Sequence, residues 1–392
     1  MRPQLKYLAK MKSGEAIDAA KINSVGPTPV YGGNGLRGYT DTSTHETVAP
    51  LIGRQGALCG NVHFAKGVFF ATEHAIVAQP RNETDPRWLY WVLQTLDLGQ
   101  YSMAAAQPGL SVEVIERVRV GRPPLATQTA IADYLDRTTA AIDALIAKKE
   151  LLIEELRKYL KAKTTEVVLR GLNEHAPLKQ SPVAAMGLIP AHWQVAKTAR
   201  VLKYVKGVAV PKEALATEGE ESKRFLRTGD YWNVNGYEKD KAYVENTEGL
   251  VWKAEGEMVV CFDGFNSVAG KGTVGMARFE GEGYIDSHLE LITPKDGFSK
   301  RYLEYVHFTD YLEHEILKAA RGAIAYSAGY GKYDLFIPAP PYVEQEVIAL
   351  HLDQLLTSVA PLMANIRNQL KDLRLLRTAL VAEKVSAYTD ET

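Results

Sequence analysis

The stretch PPLATQTAIADYLD, Pro123–Asp136, returns in altered form as PPYVEQEVIALHLD, Pro340–Asp353. At one constant offset Pro123 aligns with Pro340, Gln128 with Gln345, Ile131 with Ile348, Ala132 with Ala349, Leu135 with Leu352 and Asp136 with Asp353. Upstream, DPRWLYWVLQTL from Asp85 resembles SKRYLEYVHFTD from Ser299, with Arg87 facing Arg301 and Val92 facing Val306. Further back, LKYLAKMKSG at Leu5 echoes LKYVKG at Leu202. Three pairs in the same order mean a duplicated unit, a variable globular part followed by a long helix.

Each helix carries its own start signal. Proline cannot sit inside a helix, so each Pro-Pro ends a preceding strand (Val118–Val120, then Leu335–Ile337) and opens a helix. A heptad of apolar residues follows. In the second copy it reads Ile348, Leu352, Leu355, Val359, Leu362, Ile366, Gln369, Leu373, Leu376, Leu380. In the first it reads Ile131, Leu135, Thr138, Ile142, Leu145, Lys149, Leu152, Leu156, Tyr159, with Ile146, Ile153 and Leu160 beside it. Lys149 breaks one seam, Gln369 breaks the other, and Pro361 predicts a kink. At about 45 residues each, the helices are roughly 65 Å long. Two such amphipathic helices in one chain most simply pair antiparallel with each other; the alternative is that each packs only on its own domain.

The pattern divides the chain into globular parts at residues 1–122 and 191–339, helices at 123–172 and 340–392, and a turn-rich linker at 173–190. Strands are expected at VAPLI, GVFFA, EMVVCF, GTVGMARF and YIDSHLELI, and helices at RWLYWVLQTL and RYLEYVHFTDYLEHEILKAA. The fold class is α+β, one α/β domain used twice with an internal pseudo-two-fold repeat.

Composition narrows the function. The chain has 392 residues, 24% of them charged, and a formal net charge of -1. A strong autonomous DNA binder is usually basic, so phosphate contacts are expected from partners as well as from any basic face. No run of about 18 consecutive apolar residues predicts a membrane span. The first residues hold no apolar signal core, and Cys59 and Cys261 stand far apart. A reducing, cytoplasmic location without a metal framework is expected.

Catalytic motifs fail on context. YGGNGLRGY contains a literal G-x-G-x-x-G at Gly33, Gly35 and Gly38. A dinucleotide site needs a helix opening at the third glycine, and the β-branched, polar YTDTSTHET is a poor helix start. The glycines instead fit a tight turn with positive φ. GKGTVG at Gly270–Gly275 fails in the same way, and GFNSVAGK lacks the spacing and hydroxyl of a P-loop. APPY, at Ala339–Tyr342, lacks the side-chain acceptor with which an amino-methyltransferase holds its target amine. His63, His74 and His288 have no ligand spacing. What does cluster is glycine with amide, basic and aromatic side chains, the groups that reach base edges and phosphates. Candidate DNA-binding residues are Tyr31, Asn34, Arg37, Tyr39, Arg54, Gln55 and Gln107 in the first half. In the second they are Arg227, Tyr231, Asn233, Asn235, Asn266, Lys271, Arg321, Tyr326 and Tyr330.

PVYGGNGLRGYTD, LIGRQGALCGNVHF, the two aligned Pro-Pro segments and GLIPAHWQV together resemble the specificity subunits of Type I restriction-modification systems. The IPAHW segment has no counterpart before Leu5. The resemblance implies two α/β target-recognition domains separated by two long antiparallel coiled-coil helices, each domain reading half of a bipartite asymmetric site in double-stranded DNA. It implies a non-catalytic chain whose helices dock two methyltransferase subunits. Those subunits carry S-adenosylmethionine and modify adenine, and any restriction subunit carries ATP and Mg. A divergent DNA amino-methyltransferase and a coiled-coil scaffold without DNA reading are the rival readings.

Overall fold

The computed structural model describes residues 2–56, 58–102, 109–227, 241–261, 263–265, 275–277, 281–319, 325–327 and 329–387. The chain divides into two compact units, one of Met1–Leu151 with Ile366–Thr392, the other of Leu152–Asn365.

In the first unit six strands form one sheet in the order β1-β6-β4-β5-β2-β3: β1 (Ala9–Ser13), β2 (Thr28–Gly32), β3 (Gly35–Thr40), β4 (His45–Gly53), β5 (Val62–Ala71) and β6 (Ala75–Pro80). VAPLI and GVFFA lie inside β4 and β5. Neighbours are antiparallel except β2 and β5, which run parallel. The GGNG stretch is more than a loop: β2 and β3 are a hairpin closed by Gly33 and Asn34. Helix α1 (Pro86–Thr95) opens on the Asp85 carboxylate, which accepts from the Arg87 and Trp88 amides. It buries Trp88, Leu89, Val92 and Leu93 in a core shared with Leu5, Leu8, Ile52 and Ile76. Helix α2 (Val112–Arg117) follows, then α3 (Leu125–Arg170). Val118–Val120 does not form the expected strand; Arg119 makes an isolated bridge with Gln4.

In the second unit the 173–190 stretch holds a short hairpin of β7 (Leu178–Gln180) and β8 (Leu188–Pro190). Met186, Ile189 and Trp193 from this region are buried in the unit's core. Next come β9 (Gln194–Lys197), α4 (Thr198–Val201), β10 (Leu202–Lys206), β11 (Lys223–Leu226), β12 (Ala242–Val244) and β13 (Trp252–Lys253). They are followed by β14 (Met258–Cys261), β15 (Asp263–Phe265), β16 (Gly275–Ala277), β17 (Gly283–Ile285) and β18 (Leu289–Pro294). The four-stranded order β10-β18-β14-β16 repeats β1-β6-β4-β5 of the first unit, but the echoed LKY is not equivalent in the two: residues 202–204 lie in β10, whereas Leu5–Tyr7 form a 3-10 turn ahead of β1. A second sheet, β12-β11-β17-β13, packs its own small core.

The expected single helix RYLEYVHFTDYLEHEILKAA is two, α5 (Lys300–His307) and α6 (Asp310–Ala319). Thr309 causes the break: its buried hydroxyl donates to the Val306 carbonyl and accepts from the Leu312 amide, capping α6. After β19 (Ala325–Ser327) and β20 (Phe336–Ala339), α7 (Tyr342–Ser386) runs unbroken through Pro361. By mean hydropathy one window of α7 is long and apolar enough to cross a membrane. Yet Ile348, Ala349 and Leu352 of this helix are packed into the core of the second unit.

In the first unit α3 and α7 pair antiparallel. Asp143 meets Arg377 at 2.8 and 3.1 Å, while further along α3 Lys149 reaches back to Gln369 at 2.5 Å. The two residues that interrupt the seams therefore satisfy each other. The expected heptad is buried at Ile131, Leu135, Ile348, Leu352 and Ile366, but elsewhere the buried stripe is displaced from it. Leu145, Leu152, Tyr159, Leu362 and Leu376 are exposed, whereas Ile153, Leu160, Met363 and Leu370 are buried. Adjacent apolar residues offered two overlapping registers, and the neighbouring elements select one.

The aligned motif residues turn out to be one fastening made twice. Gln128 is fully buried; its Oε1 accepts from the Asp85 amide at 2.9 Å, and its Nε2 donates to the carbonyls of Glu83 and Pro123 at 3.1 and 2.8 Å. Gln345 accepts from the Ser299 amide at 2.8 Å and donates to Gly297 and Pro340 at 3.3 and 2.9 Å. Asp136 then accepts from Arg87 at 3.1 Å and from the Trp91 indole at 2.8 Å. Asp353 holds Arg301 and the Tyr305 hydroxyl in the same places.

Replacing Gln128 or Gln345 by Leu strands two buried backbone groups at about 1–3 kcal/mol each, besides one carbonyl of an exposed residue. Each variant is expected to lose at least about 2 kcal/mol in denaturant unfolding, with protection lost first in its own unit by hydrogen exchange. A second expectation concerns His307, which is buried with Nδ1 bonded to the Leu303 carbonyl at 2.7 Å. Burial holds its pKa down at about 4 against 6.5 when unfolded. Between those values the unfolded chain binds a proton that the folded chain does not. Stability is therefore full above pH 6.5 and falls as the pH drops towards 4, by up to about 3 kcal/mol. His307→Gln should flatten that part of the pH–stability curve.

Candidate nucleic-acid interface

Three loops meet at one end of the first unit's sheet: the β2–β3 turn, the segment after β4, and the β5–β6 turn. Glycines allow the approach. A side chain on Gly53 would lie 2.2 Å from the Gly33 carbonyl oxygen, and one on Gly33 would press on the His74 and Gln55 carbonyls. Gly35 has φ +84 and sits over the His63 ring, 3.0 Å from where a side chain would begin. Backbone bonds lock the loops together: Arg54 donates to the His74 carbonyl at 2.8 Å, Gly53 to Asn61 at 2.8 Å and Leu110 to Arg54 at 2.9 Å.

On this platform Asn34, Arg37 and Gln55 are exposed and Arg54 is half-buried. Arg37 lies against the backbone of Gly32, whose missing side chain makes room for it. Tyr39, half-buried, is bound through its backbone to Asn23 at 2.8 Å in both directions. Tyr31 is turned to packing, its ring edge-on to Phe69 at 5.8 Å. The platform thus brings together Asn34, Arg54 and Gln55, with Arg37 beside them on β3, and ties Tyr31 to the sheet.

Sequence reasoning did not single out Asn61, and weighed His63 and His74 only as metal ligands. Asn61 is exposed and donates to the Asn34 Oδ1 at 3.4 Å. Burial lowers the pKa of His63, favouring neutral imidazole beneath the hairpin. His74 lies 3.2 Å from Glu73. The Asn61–Asn34 and His63–Gly35 contacts join residues far apart in the chain, so no local spacing announces them. Among the described residues no group of three His, Cys, Asp or Glu is placed to hold a metal.

In the second unit Arg227 is half-buried just beyond β11. Tyr326 contributes backbone to β19, and Tyr330 to the turn at Gly329–Asp334. Gln107, Tyr231, Asn233, Asn235, Asn266, Lys271 and Arg321 lie outside the described residues. The described part of this unit does hold a buried ion pair, Glu290 with Lys332, whose ammonium also lies 5.3 Å from the ring of Tyr204 and 5.2 Å from that of Tyr333. It fastens the Gly329–Asp334 turn to β18.

Residues 3–155 match the family model described as Type I restriction modification DNA specificity domain. The Type I restriction enzyme EcoprrI specificity subunit of Escherichia coli is 39% identical over 140 residues, 35% of either chain. A putative type I restriction enzyme specificity subunit of Haemophilus influenzae is 28% identical over 118 residues, 29% of this chain and 31% of its own. The match thus spans about a third of each curated relative. A solved structure from work on complex assembly and conformational transition of the type I R-M system aligns with 100% of this chain and 95% of its own, at TM-score 0.60 and 16% identity. That likeness extends the shared fold over both units. Over residues 3–155 the chain is thus similar to the DNA specificity domains of Type I restriction-modification systems.

Proposed function

We propose that the chain is the non-catalytic, DNA-reading subunit of a Type I restriction-modification complex in the cytoplasm. Its globular parts, 1–122 and 191–339, serve as target-recognition domains, each reading one half of a bipartite asymmetric site. The observation that carries this reading is the duplicated fastening, Gln128 with Asp136 and Gln345 with Asp353. The family match lies on the first copy, and the same fastening in the second supports the same task there. The two globular parts differ in sequence and in their added strands, so two different half-sites follow.

Helices α3 and α7 set the spacing and recruit two methyltransferase subunits. Those partners supply S-adenosylmethionine and the adenine chemistry, and a restriction subunit, where present, supplies ATP and Mg. With a net charge of -1 the chain is a poor polyanion binder by itself, so much of the phosphate affinity belongs to the partners.

Reconstitution with the methyltransferase subunits, followed by mapping of modified adenines, is expected to give an asymmetric two-part motif. Its half-site centres should lie about one helical turn apart, roughly 10 bp. A palindromic or contiguous motif would sink the proposal. Inserting one heptad into both helices adds about 10 Å of length and should widen the gap by roughly 3 bp at about 3.4 Å each. A gap that stays constant would reject the helices as a ruler.

A further inference from the structure

We infer that Asn34 and Asn61 form a two-residue reader of one A·T pair in the half-site of the first globular part. The inference rests on the proposed DNA-reading role and adds residues and a base to it. Asn34 stands at the tip of the β2–β3 hairpin and Asn61 at the entry to β5, both exposed. The Asn61 Nδ2 donates to the Asn34 Oδ1 at 3.4 Å, the one side-chain hydrogen bond either makes among the described residues. That contact leaves the Nδ2 hydrogens of Asn34 as donors and the Oδ1 of Asn61 as an acceptor on two adjoining exposed side chains.

Adenine presents the complement in the major groove, an N7 acceptor next to an N6 amino donor. Guanine presents two acceptors there, and a G·C pair offers its donor only on the cytosine, beyond both of them, so no single base repeats adenine's neighbouring acceptor and donor. The matching donors and acceptors also need a fixed platform beneath them. The Asn61 carbonyl accepts from Gly53 at 2.8 Å, and Gly33, beside Asn34, is closed against Gly53. A hairpin glycine, Gly35, rests on the His63 ring that follows Asn61 by two residues. The backbone that carries both amides is therefore fixed, and both side chains are exposed. A solvent-exposed amide contact as long as 3.4 Å contributes little to folding, so stability does not account for it.

The test uses the complex reconstituted with its methyltransferase subunits and compares Asn34→Ala, Asn34→Asp and Asn61→Ala with the unaltered chain. Melting temperature and assembly should stay unchanged. Preference for A·T at one position of one half-site should fall about 5- to 150-fold, and the other half-site should keep its pattern. Asn34→Asp keeps the shape and loses the donor, so it should relax the site as alanine does. Unchanged base preferences in all three variants, an equal loss in both half-sites, or relaxation at a G·C position would each overturn the inference. If the unaltered complex shows no bipartite motif, the DNA-reading proposal falls and this inference with it. A bipartite motif indifferent to the variants overturns this inference alone.

Discussion

A buried carboxamide is the point from which each half of this chain is hung. Where Pro-Pro turns the chain into a long helix, proline supplies no amide hydrogen and nearby carbonyls are left without helical partners. Gln128 and Gln345, both buried, take up those carbonyls with Nε2 and use Oε1 to hold the first residue of the region that opens α1 or α5. Two turns further on, Asp136 and Asp353 lie on the same helical face. They grip an arginine and an aromatic donor of that same short helix. Two attachment points along one helix fix both position and direction. Beyond them the globular part is free to vary in sequence without losing its bearing on its own segment of long helix.

This explains why the repeat was legible and much else was not. Gln128, Asp136 and Arg87 aligned with Gln345, Asp353 and Arg301 because an identical set of contacts demands identical side chains. Trp91 and Tyr305 escape an identity comparison, yet both place one donor at the same carboxylate. The heptad was legible as a period but not as a face, because Leu145 beside Ile146 and Leu152 beside Ile153 satisfy either register. Thr309 looked like one more residue in a helical run, since a capping hydroxyl is recognised by what it bonds. The GGNG loop gave up its turn through its glycines but not its flanking strands, where Arg37 and Gly38 break the alternation of a half-buried strand. In the candidate site, Asn34 and Gln55 were visible by residue type. Asn61 was not, because its bearing comes from a contact across the sheet.

The same contrast separates the two ways charge is used here. In the platform of the first unit the loops are positioned by glycines and backbone bonds, and the exposed groups are chiefly amides. Amides discriminate by matching donors and acceptors, which charge cannot do. In the second unit a true ion pair, Glu290 with Lys332, is buried and serves to hold a turn. Buried in this way, the charges cost desolvation and add geometric constraint rather than reach.

Between the helices of the first unit, polarity does a third task. Leu145, Leu151, Leu375 and Leu376 are exposed, so apolar contact alone does not dictate how α3 and α7 align there. Polar cross-helix contacts in this stretch include Asp143 with Arg377, Glu150 with Arg374 and Lys149 with Gln369. Exposed pairs of this kind contribute little stability each. Their effect lies in the alternatives they penalise. Slipping α7 by one heptad in either direction would set Lys149 opposite Leu362 or Leu376, leaving an ammonium against leucine and the carboxylates without their arginines. A polar residue at a seam position fixes register in this way at a cost in stability. In a protein whose helices are proposed to measure distance along DNA, a seam weakly held but correctly aligned is worth more than a stronger one free to slip.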